Sequence, residues 1–158
     1  MTLSVDVVVE SRAWEALPEL QGFAEWVIRA SAEATTAKFS PNCEVSVAFC
    51  DDETIRALNA QWRGQDKPTN VLSFPTPGRA ADKPLLGDIV IAYETVAREA
   101  EAEGKSLADH TAHMILHGFL HLIGYDHETS AEAEAMEAVE RRIAFALGIR
   151  DPYEGTQP

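Results

Sequence analysis

The chain has 158 residues, 46% hydrophobic and 25% charged, an ordinary balance for one soluble domain that excludes collagen-like, disordered and disulfide-scaffold chains. Thirteen Lys and Arg stand against 26 Asp and Glu, a formal net charge of -13, so anionic membranes and bulk nucleic acid are repelled and any nucleic acid must meet a local basic patch. No apolar run approaches the roughly 18 to 20 residues of a membrane span, and the N-terminal MTLSVDVVVESRAW lacks the basic start and long apolar core of a signal peptide.

Leu3 to Val9 is rich in β-branched residues and sets Val5, Val7 and Val9 on one face, as a half-buried strand requires. The spacing of Leu20, Phe23, Ala24, Val27 and Ile28 predicts a helix over 20–37, punctuated by Ser40, Pro41 and Asn42. Val45 to Phe49 reads as a second strand between Cys43 and Cys50. Extended at about 3.3 Å per residue, that run holds the two sulfurs roughly 20 Å apart, too far for a disulfide. Two free thiols suit a reducing cytoplasm. Asp51 or Asp52 caps a short helix running to Trp62, and a polar loop from Arg63 to Thr69 leads into a short strand, Val71 to Phe74. After a loop from Pro75 to Leu85, Asp88 to Ala92 reads as a strand buried on both faces, with Asp88 a structural residue at its start. Three helices follow, Tyr93 to Glu103, Leu107 to Ile123 and Ser130 to Leu147, and a tail over 151–158 is expected to fray. The expected fold is α+β: a single domain over 1–150, with a mixed, roughly four-stranded sheet covered by about five helices.

All five histidines lie between positions 110 and 127. At about 100° per residue, His110, His113, His117 and His121 share an arc of roughly 80° on one helix. The rest of that helix is apolar nearly all round, so it is buried, and its imidazoles must find hydrogen bonds, water or a metal. The segment HGFLHLIGYDH contains HxxxHxxGxxH. His117 and His121, four apart, put two ring nitrogens above one helical face. Gly124 suits the left-handed turn that leaves a helix, and His127 can swing back to close a three-histidine site. Neutral imidazole is a common zinc ligand, and three ligands leave a fourth position open for water or substrate. His110 and His113 are expected as supporting or solvent-facing groups.

The same spacing occurs in metzincin proteases, where a glutamate general base follows the first histidine. Here Gly118 holds that position. Asp126 and Glu128 are expected on the wrong side of the turn to replace it, which demotes a metalloprotease. Asp126 reads either as orienting a ligand imidazole or as turn chemistry. The acidic helix bearing Glu132, Glu134, Glu137 and Glu140 reads as a solvated face. From Arg56 to Lys83, five basic residues (Arg56, Arg63, Lys67, Arg79, Lys83) meet two acidic ones (Asp66, Asp82). On charge alone this is an ordinary solvated segment; as a positive island in an acidic chain it could hold a phosphate backbone.

HGFLHLIGYDH, with RGQDKPTNVLSFP and LGDIVI in that order, resembles the YbeY family of bacterial metal-dependent endoribonucleases over about Leu3 to Leu147. The resemblance implies one α+β domain, a Zn2+ site made by His117, His121 and His127, and a functionally important arginine at Arg63. It also implies a cytoplasmic enzyme that cuts single-stranded RNA, acts in small-subunit ribosomal RNA 3′-end maturation and ribosome quality control, and has the ribosome or its assembly proteins as partners. Two residues depart from the family pattern: Asn70 stands where Asp is frequent, and Gln65 where Lys is common. The expected site is a cleft with the metal on one wall and Arg63 on the other, with water or the RNA 2′-hydroxyl as nucleophile. A non-catalytic, metal-containing ribosome-assembly factor is the competing reading.

Overall fold

The computed structural model describes residues 2–154. In chain order its elements are β1 (Thr2–Val9), α1 (Leu20–Ala34), β2 (Asn42–Cys50), α2 (Asp52–Arg63), β3 (Val71–Pro75), β4 (Leu85–Ala92), α3 (Tyr93–Glu103), α4 (Leu107–Leu122) and α5 (Ser130–Leu147). Two single turns of 3-10 helix, Arg12–Ala16 and Ala80–Asp82, sit in the connections. The four strands form one sheet in the order β1-β2-β4-β3. Its first two pairings are parallel and the last, β3 on β4, is antiparallel. The expected mixed sheet under five helices is therefore the observed architecture.

Alternation along the strands divides the core in two. Val45, Val47 and Phe49 of β2 and Ile89 and Ile91 of β4 join the large cluster with α1, α4 and α5. Val90 and Ala92 face the other way, onto Ile55 of α2. β4 is thus buried on both faces, as its Ile and Val run requires. The register that puts Cys43 in the large cluster sends Cys50 to the small one. Both are buried free thiols, and burial together with nearby carboxylates pushes Cys50 up to about 12.

Several boundaries differ from expectation. α1 ends at Ala34 rather than 37, because Thr35 turns extended and gives both its backbone N–H and its hydroxyl to the Ala32 carbonyl. β4 begins at Leu85 rather than Asp88, since β2 already pairs there through a register shift at Glu44. Of the tail expected to fray, only 151–154 are described. Asp151–Glu154 forms a turn in which Pro152 is buried and its carbonyl accepts from Lys105 Nζ at 3.1 Å, while residues 155–158 lie outside the described region.

Helix α4 is the central element, packed between β3 and β4 on one side and α1, α3 and α5 on the others. Two glycines allow the close approach. A Cβ on Gly118 would come within 2.8 Å of Ile89 Cγ2. At Gly87, where φ is +144°, a Cβ would run into the Phe74 carbonyl oxygen and come within 2.8 Å of Leu122 Cδ2. Gly87→Ala should therefore cost about 2–4 kcal/mol of stability in urea denaturation. By contrast Gly22→Ala, in α1 with open space around it, should stabilise by about 0.5–1 kcal/mol.

Candidate metal centre

The imidazoles of buried α4 find their partners in sequence order. His110, 3% exposed, places Nε2 2.8 Å from Glu99 Oε1. His113 Nε2 lies 2.7 Å from Glu140 Oε2, and His117 Nδ1 lies 3.2 Å from the same oxygen. The other nitrogen of His117, Nε2, faces His121 Nε2 at 3.2 Å. Past the helix end Gly124 takes φ +105° and the Tyr125 N–H returns to the Leu120 carbonyl at 3.0 Å, the left-handed exit its position predicts. The chain then brings the His127 ring to 5.1 Å from that of His121, centroid to centroid. One nitrogen from each of His117, His121 and His127 lies within 4.8 Å of the other two.

This donor set fits a metal. Two nitrogens on one tetrahedral zinc, at about 2.0–2.1 Å each, stand roughly 3.3 Å apart, close to the His117–His121 separation of 3.2 Å. These three histidines could hold a metal ion. Burial lowers the pKa of His121, and His117 and His127 add to the shift, which favours the neutral, ligating ring.

The end of α2 and the edge strand β3 contribute to the same cleft. Arg63 is the last residue of α2, and Gly64 turns the chain away in the left-handed region. The loop beyond is tied back by buried Asn59, whose amide donates to the Lys67 carbonyl at 2.9 Å. Arg63 Nη2 donates to the Ser73 carbonyl at 2.8 Å, and its guanidinium lies 5.2 Å from the centre of the Phe74 ring. The Ser73 hydroxyl donates to the Gly118 carbonyl of α4 at 3.1 Å. One residue of β3 thereby links the arginine to the helix that carries His117 and His121. A cleft of about 630 Å³ results, lined among others by Arg63, Asn70, Ser73, His117, His121 and His127.

Several expected features change in this setting. Asp126 and Glu128 also line the cleft, because the turn at Gly124 swings them toward it rather than away. Asp126 Oδ1 accepts from the His127 N–H at 2.8 Å, which is turn chemistry. Two of the island's five cations are paired, Arg56 with Asp66 and Arg79 with Asp82, each at 2.9 Å, and buried Lys83 donates to the Thr76 carbonyl. Of the five cations, Arg63 alone lines the cleft.

Glu140 departs most from expectation. It is 1% exposed, not on a solvated face. Its signal was legible: Met136, Glu140, Ile143, Ala144 and Leu147 form one helical stripe. Burial alone would raise its carboxyl, but hydrogen bonds from His113 and His117 outweigh that and hold it at about 2. Burial dominates at His113 and lowers it, so a neutral ring faces an ionised carboxylate. Tyr153, from the tail, donates to Glu140 Oε1 at 2.7 Å; nothing in the sequence announces that contact.

Asn70 also has a structural reason. Its amide donates to Glu99 Oε1 at 3.0 Å while its Oδ1 accepts from the Val71 N–H. Glu99 is held below the usual carboxylate range by His110 first, against burial, with Asn70 adding to the effect. Glu99 therefore contributes stability above the ordinary glutamate value of 4.5, lost as pH falls through its lowered folded value. Asn70→Asp sets a second carboxylate against it. The variant should lose about 1–2 kcal/mol at pH 7, and the deficit should shrink in urea denaturation at pH 4, where the pair takes up a proton.

These features define a single-domain α+β protein with a three-histidine candidate metal centre that shares a cleft with an arginine. The family model described as "Endoribonuclease YbeY" matches residues 9–148. A protein named Endoribonuclease YbeY from Methylocella silvestris is 55% identical over 150 residues, covering 95% of this chain and 85% of that protein. One of the same name from Rhizobium meliloti is 48% identical over 165 residues, covering 99% of this chain and 97% of its own. The chain belongs to the YbeY endoribonuclease family. The solution structure of TM1509 from Thermotoga maritima shares the fold, with a TM-score of 0.58 at 24% identity over 98% of this chain and 97% of that one.

Proposed function

We propose that this chain is a zinc-dependent endoribonuclease that cuts single-stranded RNA, works in the cytoplasm in small-subunit ribosomal RNA 3′-end maturation and ribosome quality control, and has the ribosome or its assembly proteins as partners. In this reading His117, His121 and His127 hold the zinc and Arg63 is the catalytic arginine. One observation carries it: three imidazole nitrogens within 4.8 Å of one another share a cleft with an arginine in a chain of an endoribonuclease family. An all-imidazole donor set suits zinc better than hard, oxygen-seeking cations such as Mg2+. Zinc, when bound, supplies Lewis acidity toward a phosphoryl oxygen and lowers the pKa of water towards about 7.

The chain's own residues bind and orient. The Arg63 guanidinium is planar and permanently charged. Its bond to the Ser73 carbonyl and its place over Phe74 hold it still. Its other N–H groups can grip two oxygens of a phosphate and offset the charge that builds there in the transition state. Local positive charge from one anchored arginine, rather than a broad basic face, suits an acidic protein that must engage one phosphate without binding nucleic acid indiscriminately. The protease reading lacks the glutamate that follows the first histidine of its motif, since Gly118 stands there and a Cβ would come within 2.8 Å of Ile89 Cγ2, although Asp126 and Glu128 line the cleft. Among the described residues no helix is long and apolar enough to cross a membrane.

The test is cleavage of unstructured and structured RNA by zinc-loaded, chelated, His117→Ala and Arg63→Ala protein, with folding followed by circular dichroism. Unstructured RNA should be cut, and chelation or His117→Ala should slow cutting by at least about 100-fold. Arg63→Ala should lose about 100- to 1,000-fold with zinc content unchanged. Undiminished cutting by the Arg63 variant would refute its role, and binding without cutting under every condition would favour the assembly-factor reading. Casein with added zinc should remain intact.

A further inference from the structure

Glu140 holds a buried carboxylate among three donors. Oε2 lies 2.7 Å from His113 Nε2 and 3.2 Å from His117 Nδ1, and Oε1 accepts the Tyr153 hydroxyl at 2.7 Å. An ionised carboxylate accepts all three; a protonated one would have to donate at one of them. Proton placement on the rings follows. His113 Nδ1 is buried with no hydrogen-bond partner among the described residues, so the one proton of the neutral ring belongs on Nε2, facing the carboxylate. Oε2 likewise takes the proton side of His117 at Nδ1. That leaves the His117 lone pair on Nε2, the atom 3.2 Å from His121 Nε2 and the only one of its two nitrogens that looks into the three-histidine cluster. A ring nitrogen ligates only when unprotonated, so the partner of the other nitrogen selects the ligating tautomer.

We propose that Glu140 is the positioning residue of the metal centre, fixing His117 in the Nδ1-protonated form, and that Tyr153 locks the carboxylate in place from a segment beyond the family-matched stretch 9–148. That segment is anchored by contacts of its own. Lys105 Nζ reaches the Pro152 carbonyl at 3.1 Å, Arg150 reaches the Gly104 carbonyl at 3.1 Å, and the Arg141 guanidinium lies 5.3 Å from the Tyr153 ring centre. The C-terminal segment is thus wired to the metal site through one hydroxyl and one carboxylate. His113, His117 and Glu140 also lie close enough to form a second metal site. The 2.7 Å between His113 and Glu140 is a hydrogen-bond length, however, shorter than the roughly 3.3 Å between two donors on one tetrahedral zinc.

The inference rests on the zinc-histidine reading but not on the RNA reading, and its experiment needs no nuclease assay. Zinc affinity is measured by competition with a chromophoric chelator for the wild-type, Glu140→Gln, Tyr153→Phe and Met136→Ala proteins. The His117 tautomer is read in the metal-free proteins from long-range proton–nitrogen NMR of the imidazoles. Wild-type His117 should carry its proton on Nδ1, and Glu140→Gln should mix the tautomers and weaken zinc binding 10- to 100-fold. Tyr153→Phe, a milder change in case Glu140→Gln fails to fold, should weaken it by a smaller factor. Met136→Ala, which loosens the same helix without touching the network, should lower the melting temperature and leave zinc affinity unchanged. Equal affinity in wild-type, Glu140→Gln and Tyr153→Phe, or an Nε2-protonated His117 in the wild type, would overturn the proposal. So would uptake of two zinc equivalents, and so would no uptake at all, which sinks the zinc reading with it. The expected affinity and tautomer pattern in a protein that cuts no RNA supports the proposal and refutes only the nuclease reading.

Discussion

Burying α4 is the constraint from which the site follows. A helix packed on every side by β3, β4, α1, α3 and α5 cannot leave a stripe of imidazoles unsatisfied without a cost of kilocalories per group. Each ring finds at least one partner according to its position along the helix, while Nδ1 of His110 and of His113 stays without a hydrogen-bond partner among the described residues. Toward the N-terminal end carboxylates from neighbouring helices reach in, Glu99 to His110 and Glu140 to His113. Toward the C-terminal end the stripe emerges from the packing, and His117 and His121 turn their Nε2 atoms to each other beside the cleft. His117 belongs to both regimes, with one nitrogen on a buried carboxylate and the other in the cluster.

Edge strand β3 ties the arginine to the helix of the histidines. Ser73 uses its hydroxyl on α4 and its carbonyl on Arg63, so the separation of arginine and histidines is set by a strand rather than by a loop. Two glycines make that possible, because Gly118 and Gly87 let α4 and β4 approach to distances no side chain would allow. Arg63 lies in a chain of net charge -13, and Arg56 and Arg79 of the same segment are paired with carboxylates. The cleft itself sets one guanidinium, that of Arg63, beside the three histidines and the carboxylates of Asp126 and Glu128.

Much of the fold was legible because its signals are local. β-branched alternation marks β1 and β2, apolar spacing marks α1, and the Ile and Val run of β4 announces burial on both faces. The errors fall where a neighbouring element decides the outcome. β4 is extended to Leu85 by pairing with β2, and Thr35 ends α1 by bonding back into the last turn. Glu140 hides for a related reason: on an acidic helix it looks like one more solvated glutamate, and only its place among Met136, Ile143 and Leu147 marks it as buried.

From the sequence alone came the histidine spacing and the glycine exit, since each depends on the geometry of a single helix or turn, whereas Arg63 was singled out by family resemblance. What the tertiary structure alone decided is which partners those groups meet. Partners 23 to 36 residues from His117, Glu140 and Tyr153, meet that ring or its carboxylate only when α5 and the turn over 151–154 pack beside α4. Hydrogen bonding in a buried site is set by contacts across the fold, and a linear pattern carries no record of distances between elements.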